Sequence, residues 1–164
     1  MMAGGAPAER AQETNTKPAN KRSLARLAAV QALYQMDVSG TDLPHTLAEF
    51  RAHRLGREID GDQYADADPL YFDSIVKGVV EAQRSLDTEI NTVLTDGWPL
   101  KRLDLTLRAI LRCGAFELHF RRDVPGAVVI DEYVEITHAF FDSDLTRLVN
   151  GVLNTILGQA RPDG

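Results

Sequence analysis

The sequence is poor in several things. It has a single cysteine, Cys113, so an internal disulfide and a multi-cysteine metal site are both excluded. Its longest uninterrupted apolar stretches are as short as AVVI at 127–130, far below the roughly 18 residues of a membrane span. The start, MMAGGAPAER, lacks the apolar core of a signal peptide. The expectation is therefore a soluble cytoplasmic protein. Catalytic signatures are also missing: there is no glycine-rich phosphate loop, no GxSxG and no HExxH. Positive charge is in deficit, with 18 Lys+Arg against 24 Asp+Glu and a net charge of −6, which argues against a uniformly basic nucleic-acid binder.

What is present is ordered and helical. The 164 residues, 44% of them hydrophobic, suit one domain that needs no metal or disulfide staple. Residues 1–20 hold Ala, Gly, Pro and polar residues with no large apolar one after Met2, so they are expected to be disordered. Ser23 is a candidate cap for a first helix to about Val38, with Leu24, Leu27, Val30, Leu33 and Tyr34 on one buried face. A second helix opens at Asp42-Leu43-Pro44. The acidic stretch 56–67 reads as a loop. Asp68-Pro69 starts a third helix with a stripe through Phe72, Ile75, Val76, Val79 and Val80. A short fourth helix is expected from Asp87 to Asp96-Gly97. A fifth spans about 102–121, a sixth about 126–140 with Phe140 on its core face, and a seventh follows the caps at Asp142-Ser143-Asp144. The expected fold is all-α, with about seven helices over 21–158 and a flexible tail at 159–164.

Few side chains suggest chemistry. Cys113 and His119 lie six apart on one helix, about 120° out of alignment, so they do not pair; Cys113 reads as a core residue and His119 as a helix-end surface residue. His45, Glu49 and His53 form a row at i, i+4, i+8, which suits a solvated face better than a metal site. Asp131, Glu132 and Glu135 favour the positive end of a helix or form an acidic patch for a partner. No metal, cofactor or catalytic residue is expected. Asn150-Gly151 lies inside the last helix, where glycine costs about 1 kcal/mol against alanine. The expected compensation is a close helix approach, with Asn150 bonded across a buried contact.

Charge distribution is more informative than its total. KPANKRSLARLAA, at 17–29, carries Lys17, Lys21, Arg22 and Arg26, and the window 14–30 sums to +4. On a helix Arg22 and Arg26 share a face, away from Leu24 and Leu27, which suits phosphate contacts on RNA or DNA. A second window, 101–122, sets Lys101, Arg102, Arg108, Arg112, Arg121 and Arg122 against Asp104 and Glu117, again +4. Residues 123–144 hold six acids and no Lys or Arg. Segregated charge implies oriented partners.

Four segments resemble one family. ARLAAVQALYQMDVSG (25–40), YFDSIVKGVVEAQRSLDTEI (71–90), LRAILRCGAFEL (107–118) and DVPGAVVIDEYVEITHAFFDSDLTRLVNGVLNTI (123–156) are similar, in that order, to the NusB family of bacterial transcription antitermination factors. The resemblance implies helices in two packed subbundles. It implies binding of boxA-type RNA of ribosomal RNA transcripts as a heterodimer with the small-subunit ribosomal protein in the NusE role. It further implies assembly with other Nus factors and RNA polymerase, without catalysis and without DNA or membrane as partners. By the same resemblance the RNA-contacting segment falls on Lys17, Lys21, Arg22 and Arg26, and further RNA contact on Asp144 and Arg147. Tyr34, and with it Glu117 and Arg121, falls at the ribosomal-protein surface. Family members often carry Phe-Gly where this chain has Phe140-Phe141. Phe141 is then either a half-buried cap over the last helix or an aromatic platform for an RNA base. Two other readings remain: a pure protein–protein adaptor, and an accessory module of a ribosomal RNA methyltransferase. The chain ends at Gly164 without room for a methyl-donor domain, which disfavours the second.

Overall fold

The computed structural model describes residues 18–53, 58–59, 62–63, 67–94 and 98–163. Of the expected arm at 1–20, residues 1–17, with Lys17, lie outside them, as does the expected helix end at Asp96-Gly97. Among the described residues there are six α-helices: α1 (Pro18–Ser39), α2 (Leu43–His53), α3 (Pro69–Val93), α4 (Leu105–Phe120), α5 (Gly126–Phe140) and α6 (Ser143–Ala160). A 3-10 turn (Leu100–Arg102) precedes α4, and two two-residue strands, β1 (Glu58–Ile59) and β2 (Asp62–Gln63), pair antiparallel between α2 and α3.

Aspartates set the helix starts. Asp68 Oδ1 accepts from the Tyr71 amide at 3.0 Å, with Pro69 in the first turn. Asp104 accepts from Thr106 at 2.7 Å. Asp142 accepts from Asp144 and Leu145 at 3.1 and 3.2 Å. Each such cap contributes about 1 kcal/mol. Gly40, at φ 73°, follows α1 in the left-handed conformation that its missing Cβ permits.

Asp87 is different, and the expected break there does not occur. It sits inside the 25-residue α3, where its carboxylate takes a fork from Arg112 (Nε–Oδ1 2.8 Å, Nη2–Oδ2 3.0 Å). An aspartate bonded by an arginine has no need to cap, so the third and fourth expected helices are one.

The core centres on α4, which is buried at every position from Ala109 to Leu118. A helix apolar nearly all round has to lie inside. It packs against α1 and α3 on the one hand and α5 and α6 on the other, so it belongs to two groups of helices at once. Close approach is explicit at Gly78 on α3, where a Cβ would stand 2.1 Å from the Phe116 ring. Cys113 is fully buried, and burial pushes its thiol well above the ordinary range. No described helix is long and apolar enough to cross a membrane.

Other expectations change with the packing. The α1 helix starts at Pro18, ahead of Ser23. The expected flexible tail continues α6 to Ala160, and Arg161 is buried. Its guanidinium donates to the carbonyls of Leu118 (2.9 Å), Val124 (2.7 Å), Glu117 (3.2 Å) and Arg121 (3.0 Å). Gly151 faces open space and Asn150 is exposed, its carbonyl and side chain accepting from Asn154. The expected close helix approach there is absent. Phe140 and Tyr34, both placed in core stripes, are 48% and 42% exposed, whereas Phe141 packs partly buried against the core.

Candidate nucleic-acid and partner interfaces

One end of the molecule is organised by a buried carboxylate. Glu117, on α4, is fully buried and takes Arg26 of α1 as a fork (Nε–Oε2 2.8 Å, Nη2–Oε1 3.1 Å). Tyr133 of α5 donates to Oε2 at 2.5 Å, and Tyr71 of α3 donates to Oε1. Arg26 also donates to the Tyr71 hydroxyl at 3.0 Å and reaches Glu132 at 3.4 Å. Burial works against the Arg26 charge, but the hydrogen bond and charge of Glu117 outweigh it and raise its pKa. Burial and then Glu117 push the Tyr71 phenol up, so it stays a donor.

This corrects two expectations. Arg26 is only 2% exposed, so it is not a surface phosphate contact. Glu117 holds four helices together and presents nothing to a partner. The residue type was read as solvent-facing because a charge inside a bundle leaves no mark on helical periodicity.

Above this network two further arginines gather on the Tyr71 ring. The guanidinium carbons of Arg22 and Arg121 each lie 4.5 Å from the centroid of the Tyr71 ring, and that of Arg26 lies at 5.1 Å. Arg121 also forks onto Asp123 (3.1 and 2.9 Å), which, ahead of other causes, holds the Asp123 carboxyl below its usual range. A cleft of about 420 Å³ opens beside them, in which Lys21, Arg22 and the buried Arg26 face Asp68, Asp123 and Glu132 over an apolar floor that includes Val124 and Val128. The Asp68 amide donates to the Lys21 carbonyl at 3.1 Å, tying the start of α3 to the first turns of α1.

The second basic window does not survive folding as a patch. Arg112 is buried between Asp87 and Asp37, with Nη1–Oδ2 of Asp37 at 3.2 Å. Arg108 caps the carbonyls of Leu103 and Lys101. Lys101 and Arg102 stand at one end of the 16-residue α4 and Arg121 and Arg122 at the other, about 24 Å of helix apart. Only the latter end meets the first window. Arg121, expected at the partner surface with Tyr34, is instead beside Arg22.

Asp144 and Arg147 are exposed on the first turns of α6 and pair with each other. The metal-like row is drawn apart: His45 bonds Asp42 at 2.7 Å, Glu49 accepts from Gln35 at 2.8 Å, and His53 is exposed. Its Glu49 partner is therefore Gln35, not the neighbouring Arg51 or His53. Among the described residues no group of three His, Cys, Asp or Glu is placed to hold a metal ion. His119 is half-buried and bonds Glu89 at 2.6 Å.

The other end of α1 is apolar. Tyr34, Val38 and Phe140 are exposed, and Tyr34 and Phe140 line a cleft of about 320 Å³ with Val30, Gln31 and Thr106. Tyr34 follows Arg22 by twelve helical positions, about 18 Å along the axis. Sequence reasoning missed Tyr71, Tyr133 and Phe140 as site residues. Tyr71 was legible in principle, since it stands one position before the stripe and two after the Pro69 start.

The model of the NusB family matches residues 23–157, most of the chain. The chain belongs to the NusB family. It is 55% identical over 158 residues to the transcription antitermination protein NusB of Agrobacterium fabrum, covering 96% of this chain and 93% of that one. It is 58% identical over 149 residues to the protein of the same name from Rhizobium rhizogenes, covering 91% and 93%. Among solved structures, NusB of T. maritima superposes with a TM-score of 0.71 at 29% identity, covering 87% of this chain and 94% of that one. A structure of NusB and NusE in complex with double-stranded RNA superposes at 0.70 and 24% identity, covering 85% and 97%, a likeness of fold. For a NusB fold, then, the buried Arg26–Glu117 pair is where three helices meet a fourth. Its two exposed surfaces lie at opposite ends of α1.

Proposed function

We propose that this protein is an RNA-binding antitermination factor that recognises boxA-type RNA of ribosomal RNA transcripts together with the small-subunit ribosomal protein in the NusE role. Lys21, Arg22 and Arg121 would meet the phosphate backbone, with Lys17 ahead of them and Arg147 at the start of α6. Tyr34 and Phe140 would seat the ribosomal protein. Phe141 serves as a cap over α6 first, and its exposed part is left for a base; Asp144 orients Arg147. Other Nus factors and RNA polymerase complete the assembly in the cytoplasm, and the protein acts by binding rather than catalysis.

The observation that carries this reading is the separation of two unlike surfaces on α1. The guanidinium groups of Arg22 and Arg121, converging on one ring, suit a polyanion, and an apolar aromatic cleft suits a protein. A gel-shift titration with boxA and scrambled RNA, with and without the ribosomal protein, tests it. Neutralising about four phosphates of a single strand gives a log–log salt slope of about −3. A flat salt response would overturn RNA binding and leave a protein–protein adaptor.

A further inference from the structure

We infer that Tyr71 is a positioning residue for RNA binding: its buried ring holds Arg22 and Arg121 together as one paired guanidinium site. The inference rests on the RNA reading above and goes beyond it, because Tyr71 itself is 2% exposed and touches no RNA.

The geometry assigns the role in three steps. First, the ring is immobile. Its hydroxyl donates to Glu117 and accepts from Arg26 at 3.0 Å, and both of those groups are buried. Second, the ring gathers arginines from distant parts of the chain. Arg22 comes from the second turn of α1 and Arg121 from the residue after α4, yet both guanidinium carbons lie 4.5 Å from one centroid. They are therefore no more than 9 Å apart, within reach of one phosphate or two successive ones. Third, the chemistry fits arginine and not lysine. A planar guanidinium stacks on a ring face and still has edge N–H groups to donate, at Arg121 those of Nη1 because Nε and Nη2 bond Asp123, whereas an ammonium has no face to stack. Two like charges brought this close repel. The electron-rich ring and the Glu117 carboxylate beneath it offset that repulsion, and Asp123 offsets it further at Arg121. The pair is thus arranged before RNA arrives, and less side-chain freedom is lost on binding.

The experiment compares the wild-type protein, Tyr71→Leu and Tyr71→Phe in complex with the ribosomal protein, titrated with boxA RNA over a range of salt. Two phosphate contacts on a single strand account for about 1.4 of the slope. Tyr71→Leu is expected to make the slope shallower by about that amount. Tyr71→Phe restores the ring without the hydroxyl; it is expected to return the slope to the wild-type value while the melting temperature stays lowered. A Tyr71→Leu slope equal to wild type overturns the inference. So does a Tyr71→Phe slope as shallow as that of Tyr71→Leu, because the hydroxyl network and not the ring would then be responsible. A second measurement needs no variant: NMR order parameters at arginine Nε in the free wild-type protein. Arg22 is expected to be rigid and the exposed Arg147 mobile; equal mobility overturns the inference. Failure of wild-type protein to bind boxA RNA would instead sink the RNA reading, and this inference with it.

Discussion

The two ends of α1 solve opposite problems. At Arg22 and Arg26 the helix brings cations to a place where one is buried and the other half-buried, and a carboxylate from α4 holds the buried one. At Tyr34 and Val38, about three turns on, it leaves aromatic and aliphatic surface uncovered beside Phe140. The first end spends its polar groups internally and shows the remainder as oriented charge. The second also ties its polar groups internally, Gln35 to Glu49 and Asp37 to Arg112, but shows apolar area between them. On the function proposed above, the difference teaches how an acidic protein would bind a polyanion at one end without becoming generally basic, while a protein partner would be read elsewhere on the same helix.

Glu117→Ala is the harshest test of that contrast. It strands Arg26 in the interior and removes the acceptor of two tyrosines, so a loss of about 3–5 kcal/mol is expected in chemical denaturation. Near wild-type stability would mean that Arg26 can reach water and that the two ends are less different than described. Arg161→Ala comes next. It takes a donor from four carbonyls between Glu117 and Val124, of which those of Glu117 and Arg121 keep a backbone amide, at an expected cost of about 1–3 kcal/mol. It should weaken RNA binding through the segment carrying Arg121 and leave ribosomal-protein affinity alone. Equal losses of both affinities would show that the two ends are coupled. Tyr34→Ala sharpens the other side: ribosomal-protein binding should fall by about 2 kcal/mol by calorimetry, with the RNA salt slope unchanged. The smallest effect is expected at Arg147→Ala. Its exposed pair with Asp144 contributes about 0.5 kcal/mol or less to stability, and the RNA slope should shift by about 0.7.

Much of this was legible before folding, for reasons that can be named. Asp68 and Asp142 cap helices because a carboxylate beside free amides is a local arrangement, complete within three residues. Asp87 looked the same and was not, because its partner Arg112 arrives from 25 residues away. Arg22 and Arg26 are one turn apart and indistinguishable by type, yet Glu117 draws the second inward. The order of exposure at Phe140-Phe141 was reversed for a similar reason, since α5 ends at Phe140 and the chain turns there to place Phe141 against the core. The basic window at 101–122 failed most plainly. Counting charges along a chain ignores that a 16-residue helix carries its two ends to different places. Family likeness reached the partners without reaching the geometry that tells one arginine from the next.

The burial of α4 from Ala109 to Leu118 has a consequence for how the protein comes apart. Amides in that stretch can reach water only when the whole domain opens, so their hydrogen exchange should report global unfolding, while α2 and the first turns of α1 exchange through local opening. The apolar end of α1 can then adjust to a partner while α4 stays closed, and Glu117 keeps its place as the fixed point on which the basic end is held.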